Sequence, residues 1–424
     1  MDKKTLLGKM VVLEQPKHRG GSSMEYSTIE HWQEIGETGI VHDLNSLYGR
    51  FHHICDPRSA KGKRYSLVML LVVIFLAKLV GKDRPDEIAD WAKNHAEELA
   101  KLLKLKRRWM PSHSTIRRVF QATLNEAEFG RLAQEYHQQE QTGKGEVLAM
   151  DGKALRGTRI AGQERSDHIL SIYEVQDQYV LAQQTVDNKE NEIVAAPRVL
   201  EQVALAGKIV TGDAMHTQRA ISEQIVASGG HYLWPVKENQ PRLYEDIQRL
   251  FAPDNPKPGF GRIETDFLTA HTTNYGHGRL EKRTIKTSSM LNDYLDWPGV
   301  GQVYRLEREF FWLRQGSIYK TSRELEFGIS SLNRDQASPA KVLQVRRKHW
   351  FIETGLHYRR DVTFHEDATR MTIGASGRIL AMVNNLVIGL IKRAGHDNFA
   401  KARRHYDGRL DDAFGLLISA NCHS

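Results

Sequence analysis

The stretch GEVLAMDGKALRGTR, residues 145–159, decides how this chain is read. Val147 to Met150 form a short apolar run with the character of a core strand, and Asp151 follows at once. Lys153, Arg156 and Arg159 come next. A second stretch, GKIVTGDAMHTQ (207–218), has the same form: a short apolar strand that ends on a carboxylate, Asp213. Between the two lie strand-like segments at about 169–175 and 179–186 and the helical NEIVAAPRVLEQVAL; the helical HTQRAISEQIVASG and the strand-like HYLWPV come after. Three strands with no room for helices between them, then helix alternating with strand, imply a mixed α/β sheet, three antiparallel strands followed by two parallel ones. In that order the first and fourth strands can be parallel neighbours. Their carboxyl ends then set Asp151 and Asp213 side by side, where open α/β sheets collect ligands. An aspartate after a strand is often only a turn former or a helix cap. A matched pair points further, because close carboxylates repel unless a cation lies between them, and hard divalent ions with oxygen ligands supply that cation.

The rest of the composition is compatible with this and excludes other classes. At 424 residues and 40% hydrophobic, the chain is long enough for two or three domains with cores of their own. Lys and Arg number 60 against 52 Asp and Glu, a formal +8, which favours a polyanionic partner where the charges cluster. Only two cysteines occur, Cys55 and Cys422, with no CxxC, so neither a disulfide framework nor a zinc knuckle is expected and a reducing cytoplasm fits. The longest apolar run, Leu67 to Ala77, has 11 residues against the roughly 20 that span a bilayer, so it reads as a buried helix and no membrane partner is expected. No export signal is visible near the start, and the Met24 that follows GGSS suggests that residues 1–23 are an upstream extension.

Along the chain, residues 1–40 carry no clear pattern, and residues 41–143 read as an all-α unit. Its basic side chains gather near helix ends, in KLLKLKRRW (101–109) and at Arg117 and Arg118, a pattern that suits either a polyanionic partner or an ordinary solvated face; with the resemblance given below, it is the expected DNA-binding domain. Residues 144–257 form the first part of the α/β unit, and 258–335 are strand-rich and interrupt it like an insertion. Residues 336–424 are helical, with long helices expected at about 339–358 and 373–394 and a short one near 410–419.

A third carboxylate is sought on the helix in VRRKHWFIETGLHYRRD (345–361). At about 100° per residue, Arg346, His349, Glu353, His357 and Arg360 fall within about 40° of one line. Glu353 is thus flanked by four basic or imidazole groups, as on a face that meets phosphate and metal together. His349, His357 and His365 repeat every eight positions, without the spacing of a zinc helix.

These residues carry a resemblance. AMDGKALRGT, KENEI (189–193), GKIVTGDAMHTQ, VKENQ (236–240), GHGR (276–279) and RRKHWFIETGLHYRRDVTFHED resemble the transposases of insertion sequences related to the Rhs-linked H-repeat proteins, members of the DDE superfamily. The likeness extends into the helical unit through FHHICDPRSAKGKRYSL, IADWA and PSHSTIRRVF. It implies an RNase H-like catalytic core in which Asp151, Asp213 and Glu353 are the acidic triad, and a strand-rich insertion before the glutamate. It also implies two magnesium ions, replaceable by manganese, and DNA as partner, both terminal inverted repeats and target duplex, in a bacterial nucleoid setting. Pairing two ends calls for at least a homodimer. Thr354, Tyr358 and Arg360 stand where members commonly carry Asn, Trp and Leu; none is a metal ligand. Lys153, Arg156, Lys237, Asn239, Gln240, Arg279 and the basic residues around Glu353 are the expected DNA contacts, with His277 and Arg283 beside Arg279. Asn239 has a plainer reading as a helix cap. The rival functions are a catalytically retired transposase that only binds DNA and a nuclease that cleaves without joining.

Overall fold

The computed structural model describes residues 9–12, 30–35, 39–138, 146–160, 162, 166–187, 190–252, 265–276, 278–315 and 317–419. The chain divides into two compact units, one of residues 1–140, 155–166 and 359–424, the other of residues 141–154 and 167–358.

The first unit opens with three short strands, β1 (Lys9–Val12), β2 (Glu30–Ile35) and β3 (Val41–Asp43), in an antiparallel sheet. Helices α1 (Leu47–Phe51), α2 (Leu67–Leu79), α3 (Pro85–Asn94), α4 (Ala96–Leu102), α5 (His113–Arg118) and α6 (Glu126–Gln138) follow, as the periodicity predicts. The apolar run is α2, capped by Ser66, whose hydroxyl accepts from the Met69 amide at 3.2 Å. It continues through Lys78, which is fully buried with its ammonium 3.3 Å from Asp83. Burial pushes the Lys78 pKa down, and the Asp83 carboxylate offsets part of that. Proline at the start of α3, with Glu87 accepting from the Asp83 and Arg84 amides, fixes the next helix start.

The second unit is built on one nine-stranded sheet. Strands β4 (Val147–Leu155), β5 (Asp167–Glu174) and β6 (Tyr179–Val186) come first, then α7 (Glu192–Leu200), β7 (Ile209–Thr211), α8 (Arg219–Ala227), β8 (His231–Val236) and α9 (Pro241–Leu250). Strands β9 (Leu268–Gly276), β10 (Arg279–Ser288), β11 (Gln302–Arg314) and β12 (Ser317–Ser330) precede α10 (Pro339–Lys348). Their order is β6-β5-β4-β7-β8-β12-β11-β10-β9. β5 and β6 are antiparallel, and β4 pairs parallel with β7 as β7 does with β8. The segment that interrupts the α/β pattern in sequence is therefore no separate sheet: β12 joins β8 antiparallel, Trp234 opposite Ile329, and extends the same surface.

Burial explains why that join holds. Phe327 and Ile329 on β12 enter one core with Leu148, Met150, Val210, Tyr232 and Trp234, closed by Ala195 and Val199 of α7, Ile221 and Ile225 of α8 and Ile247 of α9. Each large apolar side chain placed there contributes about 1.5–3 kcal/mol. Further out, the first part of β12 and most of β9 are exposed.

The first unit resumes at residue 359 and ends in α11 (Ser376–Arg393), α12 (Phe399–Asp407) and α13 (Leu410–Ile418). α11 packs on α2 and α6 and is buried along most of its length. Arg403 of α12 grips both oxygens of Asp83, at 2.8 and 3.0 Å, so Asp83 ties the start of this unit to its end.

Candidate active site

Two parallel strands stop pairing where the aspartates begin. The β4–β7 ladder ends at Ala149 opposite Thr211, and Asp151 and Asp213 each lie two residues beyond. β4 itself runs on to Leu155, so Asp151 is inside a strand and not at its end as the sequence suggests. Asp213 opens the single turn Ala214–His216, yet its carboxylate makes no capping bond to that turn. It meets His349 instead, with Nε2 3.4 Å from Oδ1. His349 Nδ1 lies 3.3 Å from the Thr211 hydroxyl, so one buried imidazole rests on the strand end and the aspartate together.

The expected helix from 339 to 358 is interrupted. α10 stops at Lys348, and the chain winds through two π-helical turns, Glu353–His357 and Arg359–Thr363. A π turn holds more residues than an α turn and is frequent at functional sites. It keeps His357 beside Glu353 but ends the straight line drawn from Arg346. His357 Nδ1 lies 3.4 Å from Asp151 and 3.5 Å from Glu353. One ligand atom from each of Asp151, Glu353 and His357 falls within 4.8 Å of the others.

The carboxylates respond in opposite directions. Burial, with the negative charges of Asp213, Glu353 and Glu192, pushes Asp151 up to about 8. The hydrogen bond from His349 holds Asp213 down at about 2 against its partial burial, and the hydrogen bond from His357 lowers Glu353. Burial lowers the pKa of His349, which Asp213 resists. Pairs of groups driven apart in this way are characteristic of functional sites.

Behind the aspartates is a cluster that the sequence reading passes over. Glu192 Oε1 is 2.8 Å from His168 Nε2, and Oε2 is 3.2 Å from His216 Nε2. Glu192 follows Asn191, the N-cap of α7, and in sequence it looks like an ordinary first-turn acid. The only signal was its place in the KENEI motif.

The expected DNA contacts divide. Lys237 is exposed, while Lys153 is buried. Asn239 is not a helix cap: its amide donates to the Ala214 carbonyl at 2.8 Å, and Gln240 donates to Thr217 at 2.9 Å, so both brace the loop that carries Asp213. Arg346 is committed to a bidentate pair with Glu326, at 2.7 and 2.9 Å. Burial opposes its charge, and Glu326 more than restores it, which raises the Arg346 pKa. In the other unit Arg360 has no exposed surface and is held by Glu366, which Asn384 also binds. Arg346 and Arg360 are thus each engaged by a carboxylate nearby. Arg156 is exposed, 3.8 Å from Asp367, and Arg117 and Arg118 are exposed on α5. Arg117 lines a cavity of about 480 Å³ with Arg84, His113 and Arg370. His277 lies outside the described residues.

A groove of about 670 Å³ runs between α10 and strands β10 to β12 and reaches Thr354, next to Glu353. Its acids are matched: Glu281 to Arg283, Glu324 to Arg308 and Glu326 to Arg346. Among the described residues Arg279, Arg347 and Lys348 have no such partner. Arg279 stacks on Phe310 at 5.0 Å, and Trp350 and Phe351 are exposed along the groove.

Known proteins resemble this chain along most of its length. Residues 142–388 match the family described as Transposase DDE domain, and residues 48–137 match one described as DDE_Tnp_1-associated. "Putative transposase YncI" of Escherichia coli O157:H7 is 28% identical over 387 residues, 89% of this chain and 95% of that protein. "H repeat-associated putative transposase YhhI" of Escherichia coli K12 is 26% identical over 82% of this chain and 91% of its own length. "H repeat-associated putative transposase YbfD" of the same strain is 30% identical over 60% of this chain and 98% of its own. The match covers the whole stretch from the strand of Asp151 to the turns that hold Glu353 and His357, and the chain belongs to the DDE transposase family.

Proposed function

We propose that the protein cuts DNA at the ends of a mobile element and transfers the freed 3′ ends into a target duplex, with Asp151, Asp213 and Glu353 as its acidic triad. The observation that carries this reading is the approach of Asp151, Glu353 and His357 to within 4.8 Å of one another. Asp213 lies on the parallel strand beside Asp151. The strand sequence β5–β6 antiparallel, then β4, β7 and β8 parallel, supports an RNase H-like core.

The donor set fits a divalent cation. Asp151 is buried among carboxylates and keeps a proton up to about 8, a conflict that a bound cation removes. Magnesium suits the oxygen donors, and manganese also accepts the imidazole of His357. Two such ions, when bound, supply positive charge beside both the attacking and the leaving oxygen of an in-line displacement. The chain's own residues do the rest. His349 keeps Asp213 ionised and aimed, His357 spans Asp151 and Glu353, and Asn239 and Gln240 hold the Asp213 loop. Arg347 and Lys348 draw the phosphate backbone to the groove, and Trp350 offers a flat apolar face to a base. In cutting, a water oxygen bonds to phosphorus, the P–O3′ bond breaks and a proton goes to the leaving oxygen, giving a 5′-phosphate and a 3′-hydroxyl; in joining, that 3′-hydroxyl oxygen bonds to a target phosphorus, the target P–O3′ bond breaks and the target strand leaves with a protonated 3′ oxygen. One site thus serves both steps without a protein nucleophile. Bringing two ends together takes at least two copies of the chain.

The test is incubation of full-length protein with magnesium and DNA that carries the element's ends, followed by sequencing of cut and joined strands. Nicks at the ends and joined products are expected. End binding without cutting would favour a retired binding protein, and cutting without joining a nuclease.

A further inference from the structure

The two aspartates are flanked by glycines, and both glycines press on the same partly buried cluster. Gly152 follows Asp151; a Cβ there would lie 2.1 Å from Glu192 Oε1 and 2.5 Å from His168 Nε2. Gly212 precedes Asp213; a Cβ there would lie 3.0 Å from His216 Nδ1 and 3.0 Å from the Trp234 ring. Glu192 joins the two halves, with His168 of β5 on one carboxylate oxygen and His216 of the Asp213 turn on the other. His216 is fully buried, and its amide donates to the Asp213 carbonyl at 2.9 Å. The backbone on one side of each aspartate therefore rests on a single carboxylate and its two imidazoles.

We infer that Glu192 is a positioning residue, which through His168 and His216 fixes the separation of Asp151 and Asp213. The meaning of that separation, the span needed to hold divalent cations, rests on the function proposed above. Stability alone is a poor account of the cluster. The Glu192–His168 pair is only partly buried, and ion pairs that keep solvent contact contribute little to stability. Burial works against the Glu192 charge, yet the hydrogen bond from His168 and the imidazole of His216 close by hold its pKa down to about 2. Groups that orient metal ligands from behind typically change affinity by about 10–100-fold when replaced.

The experiment is Mn²⁺ titration of full-length wild type and Glu192→Gln by calorimetry, with thermal unfolding, cation-free DNA-end binding and cleavage in parallel. Glu192→Gln is expected to weaken Mn²⁺ binding about 10–100-fold and slow cleavage, with end binding unchanged and the loss present far below the unfolding midpoint. The double variant Glu192→Gln/His216→Gln should lose little more than Glu192→Gln alone, because both act through one chain of interactions. Wild-type Mn²⁺ affinity in Glu192→Gln, or a loss that only tracks the unfolded fraction, overturns the inference. Should Glu192→Gln fail to fold, His168→Gln removes one of the two imidazoles and must still weaken Mn²⁺ binding; unchanged affinity there overturns the inference too. A wild type that binds Mn²⁺ but cuts nothing defeats the proposed function and leaves the affinity comparison decisive, whereas a wild type that binds no Mn²⁺ defeats both.

Discussion

His357 sits against Asp151, its Nδ1 3.4 Å from Oδ2, and the same nitrogen is 3.5 Å from Glu353 one turn earlier. The imidazole is almost fully buried and touches both Asp151 and Glu353, the latter itself more than half exposed.

His357→Ala should therefore release Glu353 from Asp151. Cleavage is expected to fall at least about tenfold and Mn²⁺ affinity to weaken, since the variant lacks a nitrogen donor and the group that orients both carboxylates. DNA-end binding should change by less than about twofold. Parallel cleavage and gel-shift assays check this, and undiminished cleavage would remove His357 from the site.

A pH dependence follows from Asp151. Its folded-state pKa is raised from the ordinary carboxylate range to about 8, so its contribution to stability is full below that range and is lost as pH rises towards 8. Asp213 runs the other way: its pKa is lowered to about 2, so its contribution is present above the ordinary range and is lost only as pH falls through about 2. Without divalent cation, Asp151→Asn should stabilise the fold and raise the thermal midpoint, most at pH 8, where the gain is of order 2–4 kcal/mol, and least at pH 5. Saturating magnesium should erase the advantage. A midpoint difference that is flat from pH 5 to pH 8 would contradict the assignment.

The aspartates were legible because each ends an apolar run of four or fewer residues, and parallel strands bring such ends together. The continuous sheet was not. Leu233 to Val236 pair with Phe327 to Ser330 across most of a hundred positions, and no local period announces a pairing of that range. The helix of Glu353 was placed correctly in kind and wrongly in winding. Periodicity at 3.6 residues assigned Arg360 to the face of Glu353, whereas the π turns send it to Glu366. Glu192 escaped for a third reason: a carboxylate in the first turn of a helix is adequately explained by the helix itself.

Glu353→Gln separates an enzyme from a DNA-binding relic. The side chain keeps its size and helix propensity and loses its charge, so folding and end binding should survive while cleavage falls by at least about a hundredfold. Asp151→Asn should be no less damaging, since Asp151 is the buried carboxylate of the cluster. Calcium should support complex formation with little chemistry, because its longer and looser coordination fits an in-line displacement poorly. Strand-transfer assays with magnesium on both variants provide the measurement. Joining at the wild-type rate by Glu353→Gln would exclude Glu353 as the third acid.

Neighbouring arginines on α10 should fail in different ways. Arg346 is paired with Glu326 at 2.7 Å with its side chain mostly buried, so Arg346→Gln leaves a buried carboxylate without its partner and should cost about 3–5 kcal/mol of stability. Arg347 is exposed on the same groove with no carboxylate partner among the described residues, so Arg347→Gln should leave the thermal midpoint within about a degree or two. Its effect belongs in DNA binding. For duplex DNA, every phosphate that is no longer neutralised lowers the slope of log affinity against log salt by about 0.9, so Arg347→Gln/Lys348→Gln should flatten that slope by about 2. Trp350→Ala should weaken binding by a base-stacking amount, about 1–3 kcal/mol, with the salt slope unchanged, because a ring face releases no counterions. Salt titrations of end-containing DNA on the wild type and these variants, with thermal unfolding alongside, read both effects. If Arg347→Gln/Lys348→Gln binds with the wild-type slope, the groove beside Glu353 is not the path of the phosphate backbone, and DNA reaches the three acids from another side.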